Sequence, residues 1–239
     1  MKFSEWQGSH RKNIIIAAGA NPAIPPIPGF DQIKVLHTNN IWELRQKPNR
    51  LIVMGGGPIG SELGQCFARL GVNVTQVEAS SQLLTREDDE VVEIMQKRFK
   101  DDGVDLKLNT RAKEVVVRNG KKYLLAQQKS DIIEIEFDEI FVAVGRKPNV
   151  TGYGIEELGI KLTERKAIAV DEYSRTNIKN IFACGDVTSP YQFTHMAAHQ
   201  AWYCAVNALF QPLKMFKMDM SIVPWCTLHG PRDRARGTQ

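Results

Sequence analysis

The sequence lacks any apolar run approaching the ~18 residues that a membrane-spanning helix needs. Its first eleven residues, Met1 to Arg11, are polar and hold no apolar core of a secretory leader, so no leader is expected. Cysteine is sparse: Cys66, Cys184, Cys204 and Cys226 are scattered, and no two lie at the spacing of a zinc ribbon or a CxxC redox motif. That spread favours reduced thiols over a disulfide framework and predicts a cytoplasmic protein. Internal repeats and low-complexity tracts are absent. Excess charge is small: the formal net charge is +4, and three arginines (Arg232, Arg234, Arg236) and Asp233 sit in the last few residues, leaving +2 for the rest. A nucleic-acid partner is therefore not expected, nor is a membrane. What remains is ordinary: 239 residues, 43% hydrophobic and 24% charged, enough for a real core in one large or two small domains.

Along the chain, Asn13–Gly19 (NIIIAAG) predicts a buried strand entering a turn. Asn21–Gly29 (NPAIPPIPG) carries four prolines in nine residues and predicts an extended connector, with a domain boundary near residue 30. Arg50–Gly55 predicts a second buried strand, followed by a glycine loop and a helix reaching about Leu70. Val72–Glu78 predicts a strand, Asp88–Asp101 a helix with Val91, Ile94, Met95 and Phe99 on its apolar face, and Val104–Leu108 a further strand. This β-α-β-α-β order builds a doubly wound parallel sheet, a Rossmann-like α/β fold. Alternation then takes over. Ala112–Val117, Lys121–Gln127 and Ile132–Phe137 predict a three-stranded meander with a hairpin at Asn119-Gly120, and Glu139–Val144 returns to the sheet. Lys179–Ala183 predicts another strand, ending at Cys184-Gly185-Asp186, and His195–Phe210 a helix.

The glycine loop carries the chemistry. Gly55, Gly57 and Gly60 stand at G-x-G-x-x-G spacing between a strand and a helix, with Pro58 and Ile59 inside the motif. The first glycine permits the tight turn, the second lets backbone approach a pyrophosphate, and the third lets helix pack on strand. The helix N-terminus adds N–H donors and partial positive charge. Glu78 ends the next strand, 18 residues past Gly60, where a carboxylate accepts from both ribose hydroxyls of NAD(H) and repels a 2′-phosphate. No arginine occupies 76–81, so NAD(H) is preferred over NADP(H).

Other residues are less specific. Glu62, in what the pattern makes the first helical turn, complements the helix dipole. Cys66, flanked by Gln65 and Phe67, reads as a packing cysteine. His195 and His199 share a helix face, but no glutamate follows the first and no third ligand is evident, so a capping or packing pair is expected and no metal. Asp186 stands where doubly wound sheets bind ligands, and it could hold sugar hydroxyls or cap a turn.

Taken in order, NIIIAAGANPAIPPIPG, GGGPIGSELG, VTQVE, IFVAVGRKPN and IFACGDV resemble the pyridine nucleotide–disulfide oxidoreductases over residues 12 to 227, with the flavour of the dihydrolipoamide dehydrogenase and mercuric reductase group. The resemblance implies an NAD(H) domain at 31–150 inserted in an incomplete FAD-binding Rossmann-like domain. The FAD pieces would be residues 1–30, which include the connector, and 151–212, with the start of an interface domain at 213–239. It implies that Ala18, Gly19, Gly185 and Asp186 face FAD, Asp186 through the ribityl chain. His199 would lie near the flavin ring, Glu62 near nicotinamide and flavin, and Gly145 along the nicotinamide path. It also implies an NAD(P)H-dependent flavoprotein oxidoreductase that moves hydride from nicotinamide to flavin, and a homodimer.

Three family features have no counterpart in the 239 residues: the first FAD glycine loop, the paired redox cysteines, and the dimerisation domain with its His-Glu pair. FAD retention by the chain alone is therefore expected to be weak. Completion of disulfide or metal-ion reduction by the chain alone is not expected, and a catalytically inactive NAD-binding remnant is the alternative. Pro224-Trp225-Cys226-Thr227 matches the opening of the family's interface domain, whereas residues 228–236 do not. One codon choice for those residues, read one base later, gives Phe-Thr-Asp-Pro-Glu-Ile-Ala-Arg, the expected family continuation, which suggests a shifted frame.

Overall fold

The computed structural model describes residues 12–188 and 191–227, together with the backbone of 233–238. The polar N-terminus (1–11) and part of the tail read above as out of frame (228–232) lie outside the described residues.

In chain order the strands are β1 (Ile14–Ile16), β2 (Ala20–Pro22), β3 (Val35–Leu36), β4 (Arg50–Met54), β5 (Asn73–Val77), β6 (Asp105–Lys107), β7 (Thr110–Arg118), β8 (Lys121–Gln128), β9 (Asp131–Phe137), β10 (Glu139–Val142), β11 (Arg146–Pro148), β12 (Ile181–Ala183), β13 (Ile222–Thr227) and β14 (Asp233–Thr238). The α-helices are α1 (Pro58–Arg69), α2 (Asp89–Asp101) and α3 (Thr194–Phe210). The chain divides into two units. One comprises Met1–Asn21, Pro148–Pro224 and Arg236–Gln239, the other Pro22–Lys147 and Trp225–Ala235.

The larger unit is built on a five-stranded parallel sheet of order β3-β10-β4-β5-β6. Its central strand β4 is apolar on both faces because both faces are covered. Leu51 and Val53 point to a cluster that holds Val92, Met95 and Phe99 of α2. Ile52 and Met54 point the other way, to a cluster with Val115, Leu124, Ala126 and Phe137 of the meander. The meander is the antiparallel sheet β7-β8-β9, with a bulge between Ala112 and Glu114. Its first hairpin turns at Asn119 and Gly120, both at positive φ (52° and 75°), as a type I′ turn requires.

Two details of this unit depart from the sequence reading. On α2 the buried residues are Val92, Met95 and Phe99, whereas Ile94 is 59% exposed. The true stripe is i, i+3, i+7 from Val92, and adjacent β-branched residues hid its phase. Strand β3, only two residues long, gave no periodic signal. The proline connector ends as a tight fit: Gly29 has φ +84°, a Cβ there would fall 1.9 Å from Val115 O, and Val115 N–H donates to Pro28 O at 2.8 Å.

The smaller unit contains a two-stranded parallel sheet, β1 with β12, aligned Ile14 to Ile181 and Ile16 to Ala183. Ile181 and Ala183 pack with Val150, Ile155, Ile160, Ile168 and Val187, and Phe182 packs with Cys184, Cys204 and Ala208. The expectation of a buried first strand is corrected here. Ile14 and Ile15 are 45% and 41% exposed, because β1 pairs along one edge only and a two-stranded sheet covers little of its own surface.

Arg50 ties the meander to the parallel sheet. Its guanidinium reaches Glu136 at 2.7 Å and Asp138 at 2.6 Å, while Asp138 Oδ2 accepts the N–H groups of Arg50 (2.8 Å) and Asn49 (3.1 Å). Hydrogen bonding from Arg50 holds the Asp138 carboxyl below its ordinary range, and the same cause acts on Glu136. This stabilisation is complete above the ordinary carboxylate pKa of about 4 and fades as pH falls below it toward the depressed folded value. We expect Asp138→Asn to lower the urea midpoint at about pH 5, and the gap to the unmodified protein to narrow steadily as pH falls from there to about 2.5. An offset constant over that range would contradict the role given to Asp138.

Candidate nucleotide-binding site

Strand β4 ends at Met54, and the loop Gly55–Gly57 leads directly into α1, with Gly57 as N-cap and Pro58 at its first position. Each glycine has its own reason. Gly55 has φ +106°, and a Cβ on it would sit 2.4 Å from Ala143 O. A Cβ on Gly60 would sit 2.3 Å from Gly55 O, so α1 approaches the end of β4 as closely as a glycine permits. A Cβ on Gly57 would meet nothing within 4 Å, which leaves open space beside exposed Pro58 at the start of α1. Gly56 was not singled out from the spacing. It is confined too, its hypothetical Cβ lying 2.9 Å from Glu78 Cγ.

The loop is held from beneath by side chains. Glu78 Oε2 accepts the Gly56 N–H at 2.5 Å, and Oε1 accepts the Ser80 N–H at 2.6 Å. Each oxygen keeps a further lone pair. Gln76 and Ser61 are fully buried. Gln76 Nε2 donates to Gly55 O (3.0 Å) and Ser61 Oγ (3.3 Å), and Ser61 Oγ donates to Gly56 O (3.3 Å). Leu84 N–H donates to Gly56 O at 2.8 Å. Sequence reasoning missed Gln76 and Ser61. The available signal was an amide, Gln76, between valines of the strand after the glycine loop and helix.

Gly145 stands near this loop. Val142 of β10 is level with Met54 of β4, so Gly145 and Gly57 each lie three residues past the carboxyl edge of the parallel sheet. Gly145 has φ +133°, and its carbonyl accepts the Ala23 N–H at 2.9 Å. Glu62 lies beyond the first turn of α1, not within it as the pattern suggested, and is half-buried. Cys66 is exposed on α1, which overturns its reading as a packing residue. The inward neighbours are Gly64 and Gln65, whose face turns Cys66 to solvent.

In the smaller unit, the turns after β1 and β12 leave the same edge, since Ile16 is level with Ala183. Gly19 (φ +69°) and Ala18 are fixed by Asn149, whose Nδ2 donates to Ala18 O (2.8 Å) and whose N–H donates to Gly19 O (3.0 Å). Gly185 has φ +76°, its N–H donates to Gln200 Oε1 at 2.6 Å, and a Cβ on it would lie 3.3 Å from Ala197 Cβ. Gln200, 3% exposed, thus fixes the Gly185-Asp186 turn against the segment of α3 that carries His199. His199 is edge-on to Tyr203, and His195 stacks on Phe193 with Nε2 2.7 Å from Pro224 O. Among the described residues no cluster of His, Cys, Asp or Glu is arranged to hold a metal ion, and no helix is long and apolar enough to cross a membrane.

A parallel sheet whose central strand feeds a glycine loop and helix, with an acidic residue closing the next strand, is a Rossmann-like fold. The chain belongs to the pyridine nucleotide-disulphide oxidoreductase family, whose model matches residues 7–201. It is 35% identical over 223 residues to a mercuric reductase of Staphylococcus aureus, covering 92% of this chain and 40% of that protein. It is 36% identical over 191 residues to a dihydrolipoyl dehydrogenase of Staphylococcus aureus, covering 80% and 40%. Among solved structures it is similar to the HOCl-induced flavoprotein disulfide reductase RclA from Escherichia coli in its Cu(II) complex, with TM-score 0.84, 30% identity, and coverage of 93% of this chain and 51% of that one. The chain thus spans about two-fifths of the length of the curated relatives it matches.

The geometry makes Gly60 indispensable to the loop. Gly60→Ala is expected to destabilise the protein by about 2 kcal/mol or more in denaturant titrations, since helix or strand backbone must move. Unchanged stability would show that α1 can step away from β4.

Proposed function

We propose that the larger unit binds reduced pyridine nucleotide, NADH in preference to NADPH, as the hydride donor of a flavin-linked oxidoreductase. One observation carries the reading: the Glu78 carboxylate is locked against the loop at Gly56, beside open space at Gly57. In this reading the N–H groups of Gly57, Pro58's successor Ile59 and Gly60 turn toward a pyrophosphate, with the positive end of α1 behind them. Glu78 accepts ribose hydroxyls through its remaining lone pairs, and its charge repels a 2′-phosphate. Gly145 lies along the nicotinamide path, and Glu62 stands toward the reacting ring.

The residues of the smaller unit are consistent with FAD. Gly19 presents backbone at positive φ with nothing within 4 Å of a Cβ, and the fixed Gly185-Asp186 turn offers a carboxylate for the ribityl hydroxyls. His199 would lie near the flavin ring. Bound flavin supplies a hydride acceptor, and the protein supplies position and electrostatics.

Two variants test the nucleotide site. Gly57→Ala leaves the fold intact, because the added methyl meets nothing. We expect it to weaken NADH binding at least about tenfold in fluorescence titrations by obstructing the pyrophosphate. Glu78→Ala is expected to weaken NADH binding more than NADPH binding. Equal losses for the two nucleotides would remove the ribose role, and full NADH affinity in Gly57→Ala would remove the loop from the site.

A further inference from the structure

Cys184 and Cys204, distant in sequence, meet in the smaller unit. Cys184 follows β12, where its N–H donates to Ile16 O at 3.0 Å. Cys204 lies on the inner face of α3. They are 3% and 0% exposed and share a small core cluster with Phe182 and Ala208. The Cys204 thiol donates to Ala183 O at 3.3 Å, the carbonyl just before Cys184, so the two cysteines sit side by side in that cluster. Buried Ser174, at φ +65°, adjoins the Cys204 sulfur, and its hydroxyl makes no hydrogen bond of ordinary length. The neighbouring Cys204 draws the Cys184 thiol below its ordinary range, while Cys184 and burial push Cys204 up. Cys184, 3% exposed, is the less buried of the two and is the one an oxidant meets first, with Cys204 beside it as the resolving thiol.

We propose that Cys184 and Cys204 are a dithiol switch that hydrogen peroxide converts to an intramolecular disulfide, clamping β12 and the Gly185-Asp186 turn to α3. The Cys184 thiolate attacks one peroxide oxygen. The O–O bond breaks, and the departing hydroxide takes up the thiol proton as water. Cys184 is left as a sulfenic acid. The Cys204 sulfur then attacks the Cys184 sulfur, the S–O bond breaks, and the hydroxyl leaves with the Cys204 proton as a second water. The two thiols lose two electrons and the peroxide gains them, so one peroxide yields one disulfide and two waters. The switch stands on the cysteine pair and does not depend on the nucleotide reading.

The full folded chain can be treated with hydrogen peroxide, quenched with catalase, then unfolded in urea and alkylated so that both buried thiols are reached. Residues 180–214 form one tryptic peptide that contains both cysteines and no other. We expect this peptide two hydrogens lighter, refractory to alkylation and restored by dithiothreitol. A chymotryptic digest should yield a Cys184–Cys204 cross-link. In Cys204→Ser, Cys184 should stop at the sulfenic acid and be trapped by dimedone added together with urea after the peroxide is quenched. Two alkylatable thiols in peptide 180–214 while exposed Cys66 and Cys226 oxidise would overturn the proposal. So would a link that forms only after denaturation in urea, a readout that needs no variant to fold.

Discussion

The distance at which α1 crosses the end of β4 is the constraint on which the nucleotide site depends. With a hypothetical Gly60 Cβ only 2.3 Å from Gly55 O, helix and strand touch backbone to backbone. That contact brings the helix N-terminus to the carboxyl edge of the sheet, where its unpaired N–H groups gather. It also buries polar loop carbonyls, which must find donors. Gln76 and Ser61 satisfy Gly55 O and Gly56 O, and Leu84 N–H shares the load at Gly56 O. Glu78 then closes the loop from the neighbouring strand, at the cost of one lone pair on each oxygen.

The same sheet explains why the larger unit has two cores. A central parallel strand must be covered on both faces. Here α1 and α2 cover one face and the meander covers the other, so Leu51 and Val53 serve one core and Ile52 and Met54 the other. Arg50, at the start of that strand, pairs with Glu136 and Asp138 where the meander rejoins the sheet. The meander therefore serves as one wall of the parallel sheet.

What could be read from the residues follows from how local each signal is. The glycine loop, the Asn119-Gly120 hairpin and the run RLIVM are local patterns, and strands, turn and helix stand where they imply. The face of α2 was off by one position, because Val91-Val92 and Ile94-Met95 offer two overlapping stripes and only the partner cluster chooses between them. The exposure of Ile14 and Ile15 was illegible, since an apolar triplet looks alike at the edge of a two-stranded sheet and inside a wide one. Gln76 and Ser61 needed the third dimension, as did the meeting of Cys184 with Cys204. Scattered in sequence, those two thiols spoke only of a reducing compartment. Folded, they form a buried pair.

Amide chemical-shift mapping of the intact chain with NADH tests the central claim most directly, because it reports where the nucleotide sits as well as whether it binds. The account predicts that the largest saturable shifts fall on Gly56, Gly57, Ile59, Gly60 and Ser80. The amides of the meander strands should stay in place. Saturable shifts elsewhere with Gly57 and Gly60 unmoved, or no saturable shift at millimolar NADH, would contradict it.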